Sequence, residues 1–231
     1  MAVICLLAAM CGAARAQVLL QQTWSQFQGQ SALTIPDMNP AGVTDSQSIF
    51  AGKVAEFVEI LSIRISVVIH GDYNGDLYAY VQHGNTMAVL LNRPGRTISQ
   101  TFGYSDPGMS ITLTDTALAP DIHNYQAVTG PLSSSPNGAA LTGLWSADGR
   151  NVDPSVALNT SQRTANLGNF RGQNVNGDWT IFVADLSGGG QNQLVSWGVQ
   201  AVVVPEPRET SLATALILGG AAFVIRRKRR A

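Results

Sequence analysis

Ile63, Ile65, Val67 and Ile69 alternate with Arg64, Ser66 and His70 across Ser62–His70. A period of two is a strand with one apolar face, and a face of that kind has to be buried against a second layer. The pattern recurs. After a turn at Gly71–Gly75, Asp76–His83 sets Leu77, Ala79 and Val81 against Tyr78, Tyr80 and Gln82. Met87–Leu91 follows, then a turn at Asn92–Gly95 and a strand at Ser110–Thr114. Trp179–Ala184 is apolar on both sides, with Trp179, Ile181 and Val183 opposite Phe182 and Ala184, which predicts a central strand covered on both faces. Leu194–Val204 closes the series with Val195, Trp197, Val199, Ala201 and Val203 in register. Short alternating runs separated by Gly, Asn, Asp and Pro predict an all-β sandwich or barrel. No long amphipathic helical pattern, internal repeat or interdomain linker is present, and Asn124–Gln173 reads as loop-rich.

The 231 residues suit one domain plus processing segments. An apolar fraction of 45% supports a sizeable core, while charged residues are only 13%, about half the usual share. Between Gln17 and Val203 there are 7 basic and 13 acidic residues, a balance of −6. An acidic body lacks the basic face that nucleic acid requires, so no nucleic-acid partner is expected.

Both ends read as addresses. Residues 1–16 carry a short apolar run, Ala2–Met10, followed by Ala14-Arg-Ala16, the small-x-small pattern of a signal-peptidase site with cleavage after Ala16. Cys5 and Cys11, the two cysteines of the sequence, lie inside this segment, so the mature domain (17–203) would contain no disulfide. Residues 204–231 begin with Val204-Pro-Glu-Pro207, continue through the apolar stretch Leu212–Ile225 and end in the basic run Arg226–Arg230. Fourteen residues of helix span about 21 Å, short of the ~30 Å hydrocarbon core. The basic run would stay cytoplasmic and leave the body outside, in agreement with the signal peptide.

The Pro-Glu-Pro box, the apolar helix and the terminal Arg cluster together resemble the PEP-CTERM sorting signal. That resemblance implies an exosortase-type membrane enzyme as partner, processing at Pro205, Glu206 and Pro207, transient inner-membrane insertion through 212–225, and the envelope or outer surface of a Gram-negative bacterium that makes exopolysaccharide. The alternative is a plain C-terminal tail anchor.

A second resemblance lies in the body. IRISVVIHGDYNGDL (Ile63–Leu77), LGNFRGQNVNGDWTIFVAD (Leu167–Asp185) and LVSWGV (Leu194–Val199), with the entry Leu33–Asp37, resemble the P domain (P/Homo B), the module that follows the catalytic domain of proprotein convertases and some bacterial proteases. It implies a jelly-roll-like antiparallel β-sandwich over most of the mature chain, with Asp121–Thr164 matching least.

The chain is read as non-enzymatic. A Ser-His-Asp protease needs a far larger domain, and neither a Gly-Thr-Ser nor a Gly-x-Ser-x-Gly motif accompanies the three histidines, His70, His83 and His123. Asp72, Asn74 and Asp76 share the opening oxygen spacing of an EF-hand, but Gly75 stands at the fourth place and His83 at the twelfth, so no EF-hand forms. Some bacterial P domains are similar to calcium-binding jelly rolls, which leaves Asp72 and Asp76 as calcium candidates; the competing reading is that Asp76 hydrogen-bonds turn amides. No other cofactor is implied. Four Trp and five Tyr raise a sugar-binding platform. Trp179 and Trp197 alternate with aliphatics and read as core, which leaves Trp145, near Asp148 and Arg150, as the expected exposed ligand contact. The sequence thus predicts an exported surface or matrix protein, structural or adhesive. The alternatives are a carbohydrate-binding module and an accessory domain docking on a separately encoded subtilisin-like protease.

Overall fold

The structure is a computed structural model that describes residues 17–205, apart from 26, 28–29, 52–57, 117 and 133–137. The signal segment and the apolar tail therefore lie outside the described residues, and with them Ala16, Glu206 and Pro207. Among the described residues no helix is long and apolar enough to cross a membrane.

Among the described residues, ten strands form two sheets. They are β1 (Val18–Trp24), β2 (Leu33–Ile35), β3 (Asn39–Ile49), β4 (Val58–His70), β5 (Leu77–His83), β6 (Thr86–Asn92), β7 (Met109–Thr114), β8 (Leu141–Ser146), β9 (Gly177–Asp185) and β10 (Asn192–Pro205). One sheet runs β1-β10-β4-β7-β8, with β2 also paired to β10; the other runs β3-β9-β5-β6. All pairs are antiparallel except β7 with β8. The fold is thus the expected all-β sandwich.

The alternation explains the core. Ile63, Ile65, Val67 and Ile69 of β4 are buried, and so are Leu77, Ala79 and Val81 of β5 and Trp179, Ile181 and Val183 of β9. They form one cluster with Trp197, Val199 and Ala201 of β10 and Ile111 and Leu113 of β7. Truncating any of the larger ones would cost about 2–5 kcal/mol.

Three expectations are corrected. In β10 the register against β4 shifts between Leu194 and Ser196. An added residue exchanges the two faces, so Leu194 is buried with Trp197 while Val195 is only half-buried. Inside the stretch read as loop lies β8, short and glycine-containing, laid parallel to β7. In β9, Ala184 is buried but Phe182 is only half-buried, so the second face of this strand is not sealed.

The strands run between two poles. β4 begins, β9 begins and β10 ends at one pole, where Val58 pairs with Pro205 and its amide donates to Asn174 Oδ1 at 3.1 Å. β4 ends, β9 ends and β10 begins at the opposite pole, where the Asn192 side-chain Nδ2 donates to Asp185 Oδ2 at 2.7 Å.

Candidate functional site

The outer face of the four-stranded sheet carries an aromatic groove of 470 Å³, lined by Pro40, Tyr78, Tyr80, Arg93, Asp153 and Phe182 among others. Tyr78 and Tyr80 occupy the alternate positions of β5, on the face opposite Leu77, Ala79 and Val81. Phe182 comes from the neighbouring strand, in register between Tyr80 and Thr44. The Tyr80 and Phe182 rings stack with centroids 4.9 Å apart and planes 17° apart, while Tyr78 meets Phe182 edge-on at 6.2 Å.

Local sequence builds both walls. β3 has a register irregularity between Asn39 and Val43, spanning Pro40, Ala41 and Gly42. Gly42 sits at φ 51, and a Cβ there would lie 2.3 Å from the Val183 carbonyl and 2.8 Å from Phe182 Cζ. Only glycine lets the strand pass this close to the ring. The other wall is the segment Asp153–Ser155. Arg96 holds it by donating to the carbonyl oxygens of Ala157, at 2.6 Å, and Ser155.

Beneath that wall lies a buried charge network. Arg150 donates to Asp121 Oδ2 at 2.7 Å, to Asp148 Oδ1 at 3.1 Å and to the Leu158 and Asn159 carbonyls. His123 Nδ1 lies 2.9 Å from Asp148 Oδ2 and its Nε2 3.0 Å from the Arg96 carbonyl. Burial alone would raise the Asp121 carboxyl, but the Arg150 hydrogen bond and charge hold it below the ordinary value. These pairs are structural, as each charge sits against its partner away from the groove.

The groove itself is amphipathic. Burial pushes the Tyr78 hydroxyl above the usual phenol value, so it stays protonated. Hydrogen bonds from the Ser155 side chain and amide hold Asp153 below the ordinary carboxyl value, so it presents a charged acceptor at the rim. Aromatic faces with a few placed polar groups are what a site for an amphipathic small ligand requires.

The calcium candidates meet other partners. Asp76 Oδ1 lies 3.2 Å from Arg93 Nη2, which also reaches Ser187 Oγ at 2.8 Å. Burial raises the Asp76 carboxyl to about 6, against the lowering effects of Ser187 and Arg93. Asp76 thus sits against the Arg93 guanidinium and the Ser187 hydroxyl. Asp72 accepts from the Gln191 amide at 3.5 Å. Among the described residues no cluster of three His, Cys, Asp or Glu could hold a metal ion.

Trp145 is not the exposed contact expected of it. It is 4% exposed, its Nε1 donates to the Thr142 carbonyl at 2.9 Å, and its ring meets Tyr125 edge-on. The reason is β8 itself, which turns what read as a loop residue into an inward strand position. Trp179 and Trp197 are core as expected, the Trp197 indole donating to Asp45 Oδ2 at 2.7 Å. The groove residues were missed, although the Tyr78-x-Tyr80 alternation carried the signal. Pro205 ends β10, paired with Val58.

No protein-family profile and no curated protein matches the sequence. Among solved structures, the chain is similar to a chain of the complex of Aeromonas sobria serine protease with its chaperone, at 14% identity and a TM-score of 0.43, covering 83% of this chain and 28% of that one. It is similar to the same serine protease solved alone, at 14% identity and a TM-score of 0.41, covering 81% and 27%. The chain thus spans about a quarter of the length of the structures it matches.

Proposed function

We propose that this chain is an exported, non-catalytic surface protein whose aromatic groove binds saccharide chains of an extracellular matrix. The observation that carries the reading is the stacked Tyr80–Phe182 pair with Tyr78 beside it, opening outward between a glycine bulge and a charged rim. Pyranose rings present apolar C–H faces to aromatic rings and hydroxyls to polar rims, and this groove has both. His83 and His123, the two buried histidines, each have a protein oxygen within hydrogen-bond distance of both ring nitrogens, which supports a binding rather than a catalytic role.

The remaining parts of the reading rest on sequence. The body is a P-domain-like module. Signal peptidase removes residues 1–16. A PEP-CTERM-type tail directs the protein through an exosortase to the outer surface of a Gram-negative cell.

Binding of the full chain to an array of bacterial polysaccharides tests the function. Tyr80→Ala should weaken binding about tenfold, the ~1.4 kcal/mol of one lost stacking face, with little change in melting temperature. Undiminished binding by this variant, or no binding to any polysaccharide, would remove the saccharide reading.

A further inference from the structure

The chain enters and leaves the sandwich at one pole. β1 and β10 are antiparallel, and Val18 pairs with Val203. Val18 is the second residue after the expected cleavage site at Ala16, and Pro205, the first proline of the PEP box, is the last residue of β10. The signal segment therefore ends two residues before one member of this pair and the Pro-Glu-Pro box starts two residues after the other, although 184 residues lie between Val18 and Val203 along the chain.

Apolar exposure does not choose between the poles. Val18, Leu19 and Phe50 are exposed near the Val18–Val203 end, where Ala51 is held by Asn176, but Met38, Ile98 and Phe102 are exposed elsewhere. Covalent reach does choose. Seven steps separate Pro205 from Leu212, where the apolar stretch starts. At full extension they cover about 25 Å. The 14 residues of β10 span on the order of 40 Å, so the opposite pole lies beyond that tether.

We propose that the pole bearing Val18, Leu19 and Phe50 is the face that rests on the lipid bilayer while the tail is inserted, and that the aromatic groove is thereby presented away from the membrane. This rests on the reading of 212–225 as a membrane segment. The groove sits toward the other end of the sheet. Pro40 is the second residue of β3, Tyr78 is the second of β5 and Leu186 follows β9, whereas the membrane-facing pole is where β3 ends at Ile49 opposite Gly177. A bilayer fits the pole because its interface accepts exposed aliphatic and aromatic side chains and needs no opposite charge.

The test uses the full chain carrying Cys5→Ser and Cys11→Ser, which leaves it free of cysteine. Single cysteines are introduced by Leu19→Cys, Phe50→Cys or Pro154→Cys, each carries a fluorophore, and the protein is reconstituted in phosphatidylcholine nanodiscs containing nitroxide-labelled lipid. Labels at 19 and 50 should be quenched severalfold more than the label at 154, at low and high salt alike. Equal quenching at all three positions, or stronger quenching at 154, overturns the orientation while leaving the membrane tail intact. Failure of the protein to associate with the discs overturns both.

Discussion

The His83 imidazole lies flat on the Trp179 indole, with ring centroids 4.2 Å apart and planes 4° apart. Both rings are tied to one segment. Trp179 Nε1 donates to the Val175 carbonyl at 2.9 Å, His83 Nε2 lies 2.7 Å from the Asn174 carbonyl, and His83 Nδ1 lies 2.8 Å from that of Asp178. Asn174 Oδ1 in turn accepts from the Val58 amide across the sandwich. One stacked pair thus fixes β5, β9 and the start of β4, and it accounts for the Asn-Gly-x-Trp stretch, in which Asn176 and Gly177 turn the chain into β9.

Trp179→Ala should therefore cost about 3–5 kcal/mol, a large part of the ~5–15 kcal/mol that holds a domain. Trp145→Ala belongs in the same class, because its indole is buried against Tyr125. Thermal melts of both variants should show comparable large losses. A Trp145→Ala melt equal to that of the unaltered protein would mean that β8 does not pack as described.

The strands that carry the core were legible because their faces alternate without interruption, as in β4 and β5. β3 was not, since its sequence, Asn-Pro-Ala-Gly-Val-Thr-Asp-Ser-Gln-Ser-Ile, is mostly polar and is held by pairing to β9 rather than by its own pattern. β8 escaped because a parallel edge strand needs no hairpin signal and Gly143 breaks its alternation. The groove was half legible. Tyr78 and Tyr80 are visibly on one face, but Phe182 joins them only through the β5–β9 register, and Asp153 only through the fold of a segment with no periodicity. Register and loop placement are set by distant pairing, which local pattern does not encode.

Asp76 gives the protein a defined pH response. Its carboxyl is raised from 3.8 to about 6 in the folded state, chiefly by burial, so the folded state holds this proton more tightly than the unfolded chain. Stability from this group is therefore complete below pH ~4 and is lost as pH rises through about 6. Burial raises Asp185 as well, with the same sign. Denaturant unfolding between pH 4 and 7 should show the unaltered protein losing stability relative to Asp76→Asn as pH rises. Parallel curves for the two proteins would place the titration elsewhere.

Gly42→Ala separates groove shape from groove chemistry, as it removes none of the polar or aromatic groups. A methyl at φ 51 strains the backbone and meets the Val183 carbonyl and the Phe182 ring. A left-handed alanine costs about 1–2 kcal/mol, so the melt should fall modestly. Displacing Phe182 should unstack it from Tyr80 and weaken polysaccharide binding together with the melt. Unchanged stability and binding would show that the bulge over Phe182 does not shape the site.

Under the proposed sorting of the tail, the register at the end of β10 sets where a cut should fall. Pro205 is paired with Val58 within the sheet, and a strand-bound peptide is a poor substrate because a processing enzyme must take the backbone in extended form into its own site. By sequence alone, Pro207 has no N–H to offer a ladder and a residue before proline favours extended geometry, and both Glu206 and Pro207 lie outside the described residues. Cleavage should then fall beyond Pro205 and leave the whole of β10 on the mature protein. Pro205→Ala with Glu206→Ala should leave an unprocessed, membrane-bound form. Changing Arg226–Arg230 to Gln should impair retention before sorting, because guanidinium groups resist passage through hydrocarbon. Mass spectrometry of the surface-associated protein from hosts with and without an exosortase reads the outcome directly. A C-terminal peptide ending at or after Pro205 in the first host alone is expected. Intact Arg226–Ala231 at equal levels in both hosts would make the tail an ordinary anchor, and a cut within β10 would mean that the last pairs of the sheet open before processing.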